Sequence, residues 1–202
     1  MRIGIISDTH GSVNAWFQAL DLFGGVDLIV HAGDVLYHGP RNPLPESYEP
    51  RRLATLINEA PAPVIIARGN CDAEVDQVLV NWPIQAPYAF IQAGSLRLLV
   101  NHGHTMTPEQ MISQAQRYRA NLFVYGHTHL PEICRSGGVI LLNPGSPSLP
   151  KDEQKTATVA VADTGSGVRI ISLQTGQVLD EVTITDVWGG KSDAGKDPTG
   201  PV

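Results

Sequence analysis

Apolar residues fall along the chain in short dense runs rather than long stripes. Ile3 to Ile6, Leu28 to Val30 and Val64 to Ala67 are rich in Ile and Val without polar alternation, as strands covered on both faces are. Helical spacing lies between them. Ser12 can cap a helix running to Phe23, stopped by Gly24-Gly25, and Pro50 opens a second that reaches Glu59. Strands alternating with helices predict βαβ units, and so parallel pairing in the first half.

The pattern changes at Tyr88. Tyr88 to Gln92 and Leu96 to His102 flank the turn Ala93-Gly94-Ser95, a helix follows from Pro108 to about Arg119, and Leu122 to Tyr125 makes another buried strand. Short strand candidates then come at Glu132 to Arg135, Val139 to Leu142, Ala157 to Ala162, Val168 to Ser172 and Val178 to Ile184, separated by Gly and Ser. An α/β front half thus joins a back half expected to be largely antiparallel. Tyr37 to Pro50, with four prolines and no periodicity, reads as a non-regular loop. The expected organisation is one domain over residues 1–185 and a flexible tail over residues 186–202. Gly189-Gly190-Lys191-Ser192 in that tail lacks the Gly that a phosphate loop needs at the position of Thr185, and no helix pattern follows.

Composition narrows the function classes. With 14 basic against 20 acidic residues and a net charge of -6, the chain has no electrostatic footprint for stable nucleic-acid binding. No stretch approaches membrane-spanning length. Cys71 and Cys134 have no spacing that suggests a disulfide framework or a thiolate metal site, so a reducing cytoplasm is the expected compartment.

The strand ends carry the chemistry, because nearly all of the seven histidines and certain acids sit directly after an apolar run. Asp8 and His10 come after the first, Asp34 after the second and Asn70 after the third; His102 and His104, then His127 and His129, come after two later ones. Sites in open α/β sheets assemble at such strand ends. Alternate residues of extended chain point the same way, so both members of Asp8-x-His10 or His127-x-His129 can reach one metal. Imidazole, carboxylate and amide oxygen together suit manganese, iron or zinc better than calcium or copper. The ligands are too many for one open catalytic ion, whereas a bridging carboxylate would hold two ions about 3.5–4 Å apart.

Asp8-x-His10, Gly33-Asp34, Gly69-Asn70, His102-Gly103-His104 and Gly126-His127-Thr128-His129, in that order, resemble the calcineurin-like metallophosphoesterase family over nearly the whole chain. His38-Gly39-Pro40-Arg41-Asn42, Arg68-Gly69-Asn70-Cys71-Asp72 and Asn143-Pro144-Gly145-Ser146 are similar to its bacterial YfcE-type phosphodiesterases. The resemblance implies a four-layer αββα sandwich, two facing mixed β-sheets flanked by helices on both sides. It also implies that Asp8, His10 and His129 bind one ion, that Asn70, His102 and His127 bind the other, and that Asp34 bridges them.

The activity so implied is hydrolysis of a small phosphodiester by a hydroxide bridging two divalent ions. Manganese is the leading choice, with zinc, iron and magnesium as alternatives, and Asn70 and His102 steady charge on the phosphoryl oxygens. Many relatives place a His after the Asn where this chain has Cys71, which leaves His104 and His38 as the general-acid candidates. Arg41, in the loop leaving Asp34, could hold a phosphate oxygen, and His38 is a second candidate substrate contact. Tyr37 and Tyr48 either stack on a nucleoside or pack the loop. The rival activities are a phosphomonoesterase or nucleotidase on the same metals and a non-catalytic scaffold like the retromer subunit of this fold. Relatives suggest a homo-oligomer, though no motif here establishes one.

Overall fold

A computed structural model describes residues 1–183; the expected boundary at 185 and the tail of residues 186–202 lie outside the described residues. The elements in chain order are β1 (Arg2–Ile6), α1 (Val13–Phe23), β2 (Leu28–His31), α2 (Pro50–Asn58), β3 (Val64–Ala67), α3 (Asp76–Leu79), β4 (Ile84–Gln85) and β5 (Ala89–Ala93). They continue as β6 (Leu96–Val100), α4 (Pro108–Arg117), β7 (Leu122–Val124), β8 (Pro131–Ser136), β9 (Val139–Pro144), β10 (Thr158–Asp163), β11 (Gly167–Ser172) and β12 (Val178–Thr183). α3 and β4 escaped the pattern reading because four and two residues are too few to display a period.

Local chemistry fixes the helix ends. Ser12 accepts the Ala15 N–H at the start of α1, and Gly24 closes it in the left-handed region at φ 55°. Thr107 and Gln110 form a reciprocal capping box on α4, and Pro50 opens α2.

The strands make a seven-stranded sheet of order β12-β11-β10-β1-β2-β3-β4 and a five-stranded sheet of order β5-β6-β7-β9-β8. β1 to β4 pair in parallel, as the βαβ pattern predicted. The back half departs from expectation. β8 to β12 do pair antiparallel among themselves where they meet, but β6-β7 and β7-β9 are parallel, because α4 carries the chain back across the second sheet between β6 and β7, and β8, antiparallel to β9, does so between β7 and β9. β10 returns to the first sheet, antiparallel to β1.

The unbroken apolar runs are explained by burial on both faces. Ile3 and Ile5 of β1 enter the space between the sheets, together with Leu98, Val100, Leu122, Val124, Ile140 and Leu142. Ile6, Ile29 and Ile66 face outward onto Trp16, Phe23, Leu53 and Ile57 of α1 and α2. On the far side Leu99, Phe123 and Leu141 meet Met111 and Ala115 of α4. Three apolar layers between four structural layers make the αββα sandwich, and the carboxyl ends of β1, β2, β3, β6 and β7 come together along one edge.

Candidate metal centre

The loops at that edge are stitched together before any side chain is considered. The Asp8, His10 and Gly11 N–H groups donate to the carbonyls of Gly33, Asp34 and Val35 at 3.0, 3.0 and 2.8 Å, running the β1 loop alongside the β2 loop. Asp8, His10, Asp34, His127 and His129 all adopt positive φ, from 46° to 69°. Such backbone is uncommon for non-glycine residues and costs on the order of 1–3 kcal/mol each, so surrounding bonds must hold it. A Cβ on Gly69 would collide with Asp34, and one on Gly126 with Ser7 and Asp8, so two glycines allow the loops to approach this closely.

The sequence reading missed the groups that do much of the holding. The buried Asp72 carboxylate accepts N–H bonds from Asp34 at 2.9 Å, Val35 at 2.7 Å and Gly69 at 2.7 Å, binding the β2 and β3 loops to each other. Burial pushes its pKa up, and the backbone donors pull it back. His31, fully buried at the end of β2, accepts the Gly33 N–H on Nδ1, so its Nε2–H donates to Thr9 Oγ1, which donates to the Val35 carbonyl. Burial drives its pKa down to about 3 and keeps it neutral. Ser146 and Ser148 both donate to the Asp8 carbonyl, at 2.8 and 2.9 Å, while Asn143 donates to Gly126 and Thr128. The Asn143 to Ser146 motif thus gains a mechanical role. Asp72 and Asn143 were visible only as motif members, and nothing in spacing singles out His31.

Three imidazoles are oriented alike. The Nδ1–H groups of His10, His102 and His129 donate to the carbonyls of Tyr37, Ala32 and Leu149 at 2.7, 2.8 and 2.6 Å, which turns each Nε2 inward. Asp8 is oriented as firmly, with Oδ2 accepting from Ser7 and from the His127 N–H while Oδ1 faces His10, His102 and His129 at 3.6, 3.9 and 3.3 Å. Asp34 Oδ1 accepts the Cys71 N–H, and its Oδ2 lies 3.3 Å from His102 Nε2 and 3.9 Å from His10 Nε2. One carboxylate oxygen therefore stands between the two histidine groups.

The donor set fits divalent metal. Asp8 Oδ1 and His102 Nε2 are buried without a hydrogen-bond partner, and His10 Nε2 sits 3.1 Å from His129 Nε2. Two inward nitrogens whose rings are protonated on the other side have lone pairs to share, and a cation is what such a pair lacks. Ligand atoms of Asp8, His10 and His129 lie within 4.8 Å of one another, as do those of Asp34, His102 and His127. His10, Asp34 and Cys71 form a third such group.

The electrostatics result from crowding acids and imidazoles out of water. Burial opposes charge on Asp8, but the adjacent His10, His129 and His102 rings hold it well below the usual carboxylate range. Burial likewise opposes charge on His102, yet Asp34 and Asp8 hold it up at about 9. His127 and His104 are both lowered, first by burial and then by His102. Burial, helped by Asp34, pushes the Cys71 thiol up to about 12.

A cavity of about 330 Å³ opens over this centre, lined by Asp34, Asn70, His127 and His129 on the metal side and by Arg41, Asn42 and Lys151 on the rim. Asn70 is exposed, and its amide nitrogen points to Cys71 Sγ, which leaves its oxygen for a ligand. The other candidates stand further off. His38 is held edge-on between Tyr37 and Tyr48 and is not part of the cavity lining, so these tyrosines pack the loop. His104 is exposed, its ring 5.6 Å from that of His102 and 6.0 Å from that of His127.

Fold and site together define a metal-dependent hydrolase of the αββα sandwich class. The calcineurin-like phosphoesterase superfamily domain matches residues 1–167, and the chain belongs to that superfamily. It is 45% identical over 153 residues to phosphodiesterase YfcE of Escherichia coli (strain K12), covering 75% of this chain and 82% of that one. A probable metallophosphoesterase of Methanothermobacter thermautotrophicus is 32% identical over 158 residues, covering 75% and 80%. Among solved structures, the Escherichia coli phosphoesterase YfcE aligns with a TM-score of 0.81 at 38% identity, over 91% of this chain and 100% of that one. Vacuolar protein sorting 29 of Cryptosporidium parvum aligns with a TM-score of 0.65 at 16% identity over 90% and 97%, a likeness of fold alone.

Proposed function

We propose that this chain is a phosphodiesterase acting on a small diester through two divalent ions, with Asp8, His10 and His129 holding one, Asn70, His102 and His127 the other, and Asp34 between them. The observation that carries the reading is the inward convergence of Asp8 Oδ1 and His102 Nε2, both buried without a hydrogen-bond partner, with the Nε2 atoms of His10 and His129, which face each other at 3.1 Å. Kinship with YfcE, named a phosphodiesterase, favours diesters. When bound, the ions supply Lewis acidity for the phosphoryl group and lower the pKa of the attacking water.

The protein's own part is orientation. Backbone carbonyls fix the ligand tautomers, Asp72 and the two serines fix the loops, and Asn70 on the cavity wall and the buried His102 beside Asp34 would steady charge developing on phosphoryl oxygen. Nitrogen and oxygen donors without a required thiolate favour manganese, with zinc, iron and magnesium next. A cavity of this size in a chain of net charge -6 suits a small molecule rather than a long polymer. No described helix is long and apolar enough to cross a membrane, and the two free thiols accord with a reducing cytoplasm.

The test is hydrolysis of a chromogenic diester and of its monoester by chelator-stripped protein given manganese, zinc, iron or magnesium separately. Metal-restored diester cleavage is expected. Preference for the monoester would replace the diesterase with a phosphatase, and inactivity of folded, metal-loaded protein would leave the scaffold reading.

A further inference from the structure

Two cations stand on the cavity rim with no acidic partner among the described residues. Arg41 comes from the β2–α2 loop and Lys151 from the segment between β9 and β10, and both line the cavity that contains Asn70, His127 and His129. Both side chains are exposed, and among the described residues neither forms an ion pair with Asp or Glu. The nearest acid in sequence to Lys151, Asp152, is engaged elsewhere, accepting the Thr156 N–H at 2.8 Å.

Both cations are also tied to the centre. The Lys151 N–H donates to the carbonyl of His129 at 3.3 Å, so the lysine starts from the backbone of a candidate ligand. Asn42 donates to the His38 carbonyl at 2.9 Å, closing the turn that presents Arg41, and Gly39 in that turn packs against Cys71. Among the described residues no carboxylate lines the cavity apart from Asp34, a candidate metal ligand. In a chain whose acids outnumber its bases by 20 to 14, two unpaired cations converging from separate segments on one cavity form a local reversal of charge.

A phosphodiester carries a single negative charge on its scissile phosphate, and the metal side of the cavity meets that charge. Arg41 and Lys151 are two further cations in the same lining. Resting on the phosphodiesterase reading, we propose that they form a subsite for a second anionic group, a carboxylate or phosphate on the substituent that stays behind when the leaving group departs. The natural substrate class is then a small diester with at least one further negative charge. Arg41 offers a planar fork for two oxygens, and Lys151 a mobile point charge.

The experiment compares two diesters with the same leaving group, para-nitrophenyl phenyl phosphate and para-nitrophenyl para-carboxyphenyl phosphate, on manganese-loaded protein. The carboxylated diester is expected to have a kcat/KM about fivefold higher at low salt, shrinking as salt is raised. Lys151→Met and Arg41→Met should each bring that ratio toward one, and Lys151→Arg should keep it. Titration calorimetry with methyl(phenyl)phosphinate and its para-carboxyl counterpart, whose two P–C bonds leave no ester to cleave, reads the same preference without turnover. A ratio near one in the unmodified protein, or a preference that survives both methionine variants, overturns the subsite. Failure to cleave either diester, in protein that still binds the carboxylated phosphinate more tightly in a Lys151-dependent way, rejects the diesterase and upholds the subsite.

Discussion

Replacing Asp72 by Asn should loosen the metal centre without touching a ligand. Around this side chain are three N–H donors, so an acceptor-only carboxylate suits it and an amide does not. Oδ2 takes the N–H groups of Asp34 and Gly69, while Oδ1 takes that of Val35. An Asn in its better orientation keeps its oxygen on the first two and turns its NH₂ toward Val35, leaving a buried donor facing a donor. An unsatisfied buried N–H costs about 1–3 kcal/mol, and loss of charge weakens the two retained bonds by roughly 1 kcal/mol in all. Asp72→Asn should therefore lose about 2–4 kcal/mol of stability. Because Asp34 is held at φ 59° partly by this bond, metal affinity should fall by roughly tenfold or more. Urea unfolding of chelator-stripped protein measures the first effect, and manganese titration of the folded variant measures the second. A loss under about 0.5 kcal/mol with unchanged metal affinity would show that Asp72 does not position the β2 and β3 loops.

Other consequences can be checked alongside. Asp34→Asn should abolish turnover and weaken both metal sites at once, since one Asp34 oxygen faces both His10 and His102; near-normal activity of a folded, metal-saturated variant would remove Asp34 from the bridge. His31, with a pKa near 3 in the folded chain against about 6.5 unfolded, binds its proton more readily when unfolded, so its stability contribution is complete above about pH 6.5 and lost as pH falls toward 3. That loss is about 2 kcal/mol at pH 5, so the gap in urea stability between the natural chain and His31→Gln should narrow from pH 7 to pH 5 in stripped protein; a constant gap would mean that His31 titrates normally. With Cys71 following Asn70 and its thiol pushed up to about 12, no strong acid stands beside the leaving group, and rates on aryl diesters should fall steeply as leaving-group pKa rises. A shallow dependence would point to His104, and His104→Ala would then steepen it.

Much of the candidate site was legible in sequence because its candidate ligands come directly after the strands. Asp8, His10, Asn70, His102, His127 and His129 needed only the apolar runs before them to be noticed, and the ligand types narrowed the metal. The αββα layering came from the resemblance, since burial on both faces erases the alternation that would tell one sheet from another. Tertiary structure alone decided the rest. It sent β10 back beside β1 and made the centre of the second sheet parallel, because pairing partners far apart in the chain leave no local trace. It also moved His38 into an aromatic stack off the cavity and brought Lys151 onto the rim. The bonds of Asp72, His31, Ser146 and Ser148 run to groups of distant loops, most of them backbone, and a backbone acceptor or donor has no residue identity for a sequence to display. The sequence by itself therefore determined which chemistry is available, through residue type and strand-end position, while the three-dimensional packing decided which atoms face one another and what holds them there.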